Sequence, residues 1–266
     1  VNIKKISTAV ILFLFSLPAL QAQFYRVYGY QPAEAGEIEF VVWNTYIPSS
    51  DISYSFFGRE VEKEGLFAHS LELEYGLSNK WGIAAYLDFE DPKDGSLRYV
   101  RTKAIMAHYA FFEKGSRPVD IAIYLEYIIH NKDYEDSEEL EMRLILEKDL
   151  GAFRIDLNPI FEKKTSGPES EEGLEFNYAA GIYFFNNGEG IFFRKNFVIQ
   201  PGIEFYGEMG EISEFKPSGE QEHYIFPTVD FLIGRRFRWH TGLGFGLTDA
   251  SDKITFKSIL SIILKF

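Results

Sequence analysis

From residue 37 onward the chain alternates apolar and polar side chains in segments of about ten residues, bounded by turn-forming residues. A period of two is the mark of a strand with two unlike faces, and assigning one position fixes both faces. Twelve segments carry the pattern: 37–47, 66–75, 81–90, 98–111, 119–129, 138–147, 152–162, 173–184, 197–207, 222–233, 239–248 and 254–266. No helix-period stretch of useful length interrupts them. No apolar run reaches the ~20 residues of a spanning helix, which excludes a helical membrane protein.

In 138–147, Leu140, Met142, Leu144 and Leu146 share one face, and Glu139, Glu141, Arg143 and Glu147 share the other. In 152–162, Phe153, Ile155, Leu157 and Phe161 oppose Arg154, Asp156, Asn158 and Glu162. A soluble sandwich would bury the apolar face, whereas a membrane barrel turns it toward lipid and gathers the charges in its lumen. A tight turn centred on Asp149–Leu150 would set Arg143 opposite Asp156 on the polar face.

The connections favour the barrel. One set is mostly short (76–80, 112–118, 148–151 and 234–238, with a longer 185–196). The other is mostly longer and more charged (48–65, 91–97, 130–137, 163–172 and 208–221, with a short 249–253). Short periplasmic turns and longer outer loops are the asymmetry of outer-membrane barrels. Trp81, Phe153, Phe197, Trp239 and Phe266 lie at strand ends on the short-turn side; Tyr46, Tyr99, Phe161, Tyr206 and Tyr224 lie toward the long loops. They read as two aromatic girdles. The expected fold is all-β: an antiparallel, transmembrane, up-and-down barrel of about twelve strands, with ten or fourteen as alternatives. An even count returns both termini to the periplasmic side.

The ends agree with export. Lys4 and Lys5 precede an apolar run, Ala9 to Leu17, and Pro18 precedes small residues. This is the plan of a signal peptide over 1–22, cut between Ala22 and Gln23, although Leu20 departs from the usual small residue at −3. Residues 23–36 then form a short periplasmic leader and 37–266 the barrel. The chain carries 27 basic and 40 acidic residues. Losing Lys4 and Lys5 leaves 25 against 40, a net charge of −15, which argues against nucleic acid and anionic surfaces. Cysteine is absent, excluding disulfides and thiol chemistry.

The polar faces carry the chemistry. Leu71-Glu72-Leu73, Leu125-Glu126-Tyr127, Leu174-Glu175-Phe176 and Ile203-Glu204-Phe205 each place one carboxylate inward between two outward apolar residues. Glu39, Glu74, Asp88, Glu139, Glu141, Asp156, Glu162 and Asp230 join them, against the bases Arg101, Lys103, Arg143, Arg154 and Lys257. An acidic lumen of this kind favours cations. The opposing reading is a lumen plugged by salt bridges between these acids and bases. Lumen candidates for solute contact are Glu72, Glu126, Glu175, Glu204 and Asp230, with Arg101, Arg143 and Asp156. Gly242, Gly244 and Gly246 align on the inward face of 239–248, which relieves crowding or clears space for a solute.

Signs of catalysis are weak. His69 and Ser70 are adjacent and therefore point to opposite faces, so they cannot form a nucleophile–base pair within the strand. The five histidines show no metal-ligand spacing. The acidic stretches 133–139 and 169–172 lack the alternating ligands and glycine of a calcium loop. No catalytic residue, metal or cofactor is expected.

The signal, the even set of amphipathic strands and the ending Ser261-Ile-Ile-Leu-Lys-Phe266 resemble a Gram-negative outer-membrane barrel. Within that group the chain is similar to porin-like proteins associated with phenol and aromatic-compound degradation. The resemblance implies that Phe266 is read by the barrel-assembly machinery, that the chain sits in outer-membrane lipid, and that small solutes pass passively. The expected protein is a monomeric, porin-like channel with a narrow acidic lumen. A closed barrel whose outer loops bind a partner is the alternative, and a barrel hydrolase a distant third.

Overall fold

The structure, a computed structural model, describes residues 25–185, 191–194 and 196–265. The cleavage residues Ala22 and Gln23 and the terminal Phe266 lie outside them. The first strands are β1 (Glu37–Ser49), β2 (Ser53–Phe56), β3 (Arg59–Glu62), β4 (Phe67–Ser78) and β5 (Trp81–Asp91). Then come β6 (Arg98–Ala110), β7 (Asp120–His130), β8 (Glu138–Leu150) and β9 (Phe153–Ser166). A 3-10 turn, Pro168–Glu171, leads to β10 (Glu175–Phe184), β11 (Ile191–Arg194) and β12 (Phe197–Glu211). The chain closes with β13 (Glu222–Ile233), β14 (Phe237–Gly246) and β15 (Ile254–Lys265).

Twelve of these strands form one closed antiparallel barrel. Sequential neighbours pair from β4 to β10 and from β12 to β15, and β1 joins β4 to β15. Pairing of β10 with β12, with Gly181 opposite Glu204, makes the ring continuous and leaves no stave with an unpaired edge. β11 is a short addition beside β12, and β2–β3 form a separate hairpin. Each predicted segment overlaps one of the twelve staves, with ends that differ by a few residues, because the alternation marks every stave.

The faces are those of a membrane barrel. On β9, Ile155 and Leu157 are outward and exposed while Asp156 and Asn158 are buried inside. On β4, Leu71 and Leu73 are outward around a buried Glu72. This inversion, apolar outside and charged inside, is stable only where the exterior solvent is hydrocarbon. Aromatic rims flank the outward band. Phe231 stacks on Trp239 at 5.0 Å near the short turns, and Tyr46 meets Phe67 at 5.2 Å near the long loops. Tyr206 and Tyr224 depart from the expected girdle: both are buried in the lumen, since they share parity with the inward Glu204 and Glu222.

The β8–β9 register also differs from expectation. The two-residue turn falls at Gly151–Ala152, with Leu150 opposite Phe153 and Gly151 at φ 59°. The turn thus sits where glycine supplies the positive φ a tight hairpin needs. Both strands are longer than the alternation suggested, and Arg143 stands opposite Ile160 while Asp156 stands opposite Glu147. Because the slip is even, each residue keeps its predicted face.

Two features lay outside the sequence reading. The loop after β1 folds into the β2–β3 hairpin, whose Tyr54 and Phe56 pack against Ile47, Leu66 and Val100 over one side of the long-loop end. Tyr54 and Tyr134 both donate hydroxyl hydrogen bonds to Glu90. The second feature is the leader. The described part, 25–36, does not hang below the barrel but runs inside it, from Tyr25 deep in the lumen to Gly36 at the short-turn rim.

Candidate functional site

The leader's backbone belongs to no sheet, so side chains of the wall satisfy much of it. Tyr28 N–H donates to Asn158 Oδ1 at 2.7 Å, and Asn158 Nδ2 donates back to the Tyr28 carbonyl at 3.0 Å. Tyr30 N–H donates to Glu147 Oε2 (2.8 Å) and Ala33 N–H to Glu74 Oε1 (3.0 Å). Arg143 and Lys257 donate to the carbonyls of Arg26 and Tyr25, at 3.1 and 3.3 Å. These are the partners that buried backbone groups require.

Leader side chains alternate between walls. Tyr28 and Tyr30 pack with Trp43, Tyr86, Tyr124 and Ile145 on one side. Tyr25 and Val27 pack with Ile160, Ala179, Tyr206, Tyr224 and Phe226 on the other. Two glycines make room. A Cβ on Gly76 would lie 1.9 Å from the Glu34 carbonyl oxygen, so the leader can cross β4 only at glycine. A Cβ on Gly244 would lie 2.2 Å from the Phe226 ring. The inward glycines of β14 therefore accommodate packed aromatic rings, with Phe226 set against Tyr25 at 4.8 Å.

Above this plug lies a cavity of about 240 Å³, floored by Tyr25, Arg26 and Tyr28 and reaching the long loops at Glu172 and Lys216. Of the sequence-predicted residues, Glu126, Glu175, Arg101 and Arg143 line it. Glu72 is buried nearby, accepting hydrogen bonds from Trp43 Nε1 (2.9 Å) and Tyr86 OH (2.5 Å) with Arg26 at 4.0 Å. Glu204, Asp230 and Asp156 also face inward but lie nearer the short-turn end, outside the cavity lining.

The five predicted bases are all ion-paired. Arg101 meets Asp88 at 2.8 Å, Lys103 meets Glu126 at 3.3 Å and Arg143 meets Glu141 at 3.0 Å. Arg154 meets Glu147 at 3.2 Å, and Lys257 is bonded to Glu204, both fully enclosed. His240 bridges Asp230 (2.9 Å) and Glu204 (3.5 Å). Most of these pairs join neighbouring positions of the wall; Lys257 and His240, on β15 and β14, reach across to Glu204 on β12.

The acids of the cavity that lack an ion pair lie on one wall. Among the described residues, Glu139, Glu162, Glu175, Glu208 and Glu222 line the cavity with no ion pair within 4.0 Å. Glu208 and Glu222 escaped the sequence reading. Their signal was parity, four residues from Glu204 and two from Tyr224, and placing Tyr224 in a girdle hid it. His69 and Ser70 point to opposite faces as expected: Ser70 is buried against Asp88, while the half-exposed His69 stacks on outward Phe67.

No protein-family model matches the chain, and no curated protein matches it in sequence. Solved structures do match in shape. The COG4313 outer membrane channel from Pseudomonas putida F1 superposes with TM-score 0.57 at 12% identity, covering 88% of this chain and 98% of that one. A KdgM porin superposes with TM-score 0.53 at 8% identity, over 86% and 99%. The same porin in complex with disordered oligogalacturonate gives 0.51 at 9%, over 86% and 99%. The likeness is one of fold. This chain is built like outer-membrane channels.

Proposed function

We propose that the protein is a porin-like channel of the Gram-negative outer membrane, passing small solutes through a narrow, acidic lumen whose lower half the leader constricts. The long loops then face the exterior, and Glu37 and Lys265, where the first and last staves begin and end, face the periplasm. The observation that carries this reading is the cavity between the leader and the loops: it is polar, reaches the loop end, and holds more carboxylates than bases. A barrel that served only as a scaffold would gain nothing from unpaired inward charge, which costs stability unless water or solute reaches it.

The charges that set selectivity are Glu175 with Glu162, Glu208 and Glu222, rather than Glu126 and Glu204, whose fields Lys103 and Lys257 offset. The reading is non-enzymatic and monomeric. Tyr28, Tyr86 and Tyr124 line the same cavity, which keeps small aromatic solutes within the proposed range. Proteoliposomes holding the mature chain should swell faster in a small cationic solute than in an anionic one of equal size. Equal rates, or none above empty vesicles, would contradict it.

The packed β2–β3 hairpin favours one further reading, a loop surface that binds a partner. Replacing residues 50–64 by a short glycine linker should then abolish partner capture while leaving swelling unchanged.

A further inference from the structure

Strand pairing places glutamates directly across from one another on five successive staves. Glu126 on β7 faces Glu141 on β8, Glu141 faces Glu162 on β9, Glu162 faces Glu175 on β10, and Glu175 faces Glu211 on β12. A second, shorter row lies beside it, where Asn177 faces Glu208 and Glu208 faces Glu222. Like charges directly opposite repel, so rows of this kind are unfavourable without a counter-charge. Lys103 and Arg143 supply one at the β7–β8 end. From Glu162 onward, among the described residues, none is within ion-pair distance. Lys216 also faces the cavity and offsets one charge. Lys164 is held by Glu135 and Glu169, and Lys63 lies 3.9 Å from Asp252.

An independent group points to a donor ligand. Asn177 is 7% exposed and lines the cavity beside the rows; its Nδ2 donates to Glu162 Oε2 at 2.6 Å, but its Oδ1 has no partner among the described residues. Glu222, 3% exposed, likewise has an unpartnered Oε1. Buried acceptors without donors are costly, and an entering N–H group would satisfy them where an anion could not. A metal ion suits the geometry poorly: among the described residues, no three carboxylate or imidazole groups converge on one point. The charges are instead spread along a line. Adjacent staves stand about 4.8 Å apart, so Glu162 on β9 to Glu222 on β13 spans roughly 14 Å in three steps.

We propose that this wall, Glu162 and Glu175 with Asn177, Glu208 and Glu222, binds linear polyamines lying extended across β9, β10, β12 and β13. Three or four methylenes separate successive nitrogens of such a chain by about 5–6 Å, close to the ~4.8 Å between staves. Each ammonium meets a carboxylate, and the methylenes lie against Tyr206 and Tyr224, whose buried rings line the same cavity. The inference deepens the acidic-channel reading and rests on it for access from the loop side.

The test is calorimetric titration of the full mature barrel, folded in a non-ionic detergent, with spermidine, putrescine, butylamine and Mg²⁺ as separate probes. Spermidine should bind on the order of tenfold more tightly than putrescine, the increment of one further charge-assisted contact, and butylamine should bind weakest. Glu162→Gln with Glu175→Gln should weaken spermidine at least about tenfold on the same scale. Asn177→Leu, which leaves every charge in place, should weaken it too, while the exposed hairpin variant Glu60→Gln should not. Circular dichroism and heat-modifiable migration establish that each variant is folded. Amines that bind regardless of length, Mg²⁺ that binds as tightly as spermidine, or a double variant that binds like the parent would overturn the site. A barrel that passes cations but shows no spermidine binding would overturn this inference alone. One that binds spermidine but passes no solute would overturn the channel reading and leave the site standing.

Discussion

Glu162 on β9 stands directly opposite Glu175 on β10, with both carboxylates inside the barrel and no ion pair for either among the described residues. A pair of like charges at this position works against folding and is retained at a cost. Neutralising one member should therefore stabilise the empty barrel. Glu162→Gln is expected to raise stability by about 0.2–1 kcal/mol, the range for cross-strand charge pairs, in urea unfolding of the lipid-reconstituted protein. A loss of stability would mean that the charge is compensated in the folded state.

The leader's seat depends on Gly76, where a side chain would collide with the Glu34 carbonyl. Gly76→Val should dislodge the leader without breaking the barrel. Because the chain has no cysteine, a single Val27→Cys reports the change cleanly. Val27 is 8% exposed, so its thiol should resist maleimide in the parent background and react readily when Gly76→Val is added. Unchanged labelling would mean that the leader holds its place by other contacts.

Lys257 and Glu204 form an ion pair with both side chains enclosed. Removing one partner strands a buried charge. Lys257→Met alone should cost about 3–5 kcal/mol, and adding Glu204→Gln should recover much of that loss. A double variant no better than the single would show that the two groups are not coupled. The inward face of β14 offers a packing counterpart: Gly244→Ala forces the Phe226 ring to move and should cost about 1–3 kcal/mol by overpacking.

What could be read from the sequence follows from which signals are local. Strand positions and faces were legible because each stave alternates and parity needs no knowledge of a neighbour. Register was not, since it depends on where the chain turns, and the positive φ at Gly151 moved the β8–β9 turn from Asp149–Leu150 to Gly151–Ala152. Tyr206 and Tyr224 were misplaced because nearness to a strand end was weighed above parity. The leader was illegible for another reason. Its Tyr25, Val27, Tyr28 and Tyr30 find partners on β1, β5, β7, β9 and β13, contacts that exist only once the barrel has closed. The excess of inward acid was visible, but the alignment of the cavity's unpaired acids along the β8–β13 wall emerges only from the pairing.

The central claim is an acidic pathway that prefers cations. It is tested most directly by the reversal potential of single channels in a planar bilayer under a salt gradient, for the mature chain and for Glu162→Gln/Glu175→Gln/Glu208→Gln. The account predicts discrete conductance with a cation-selective reversal potential in the parent, moving toward zero in the triple variant. A correctly folded barrel that stays silent, or whose selectivity is unmoved by the triple substitution, would contradict it.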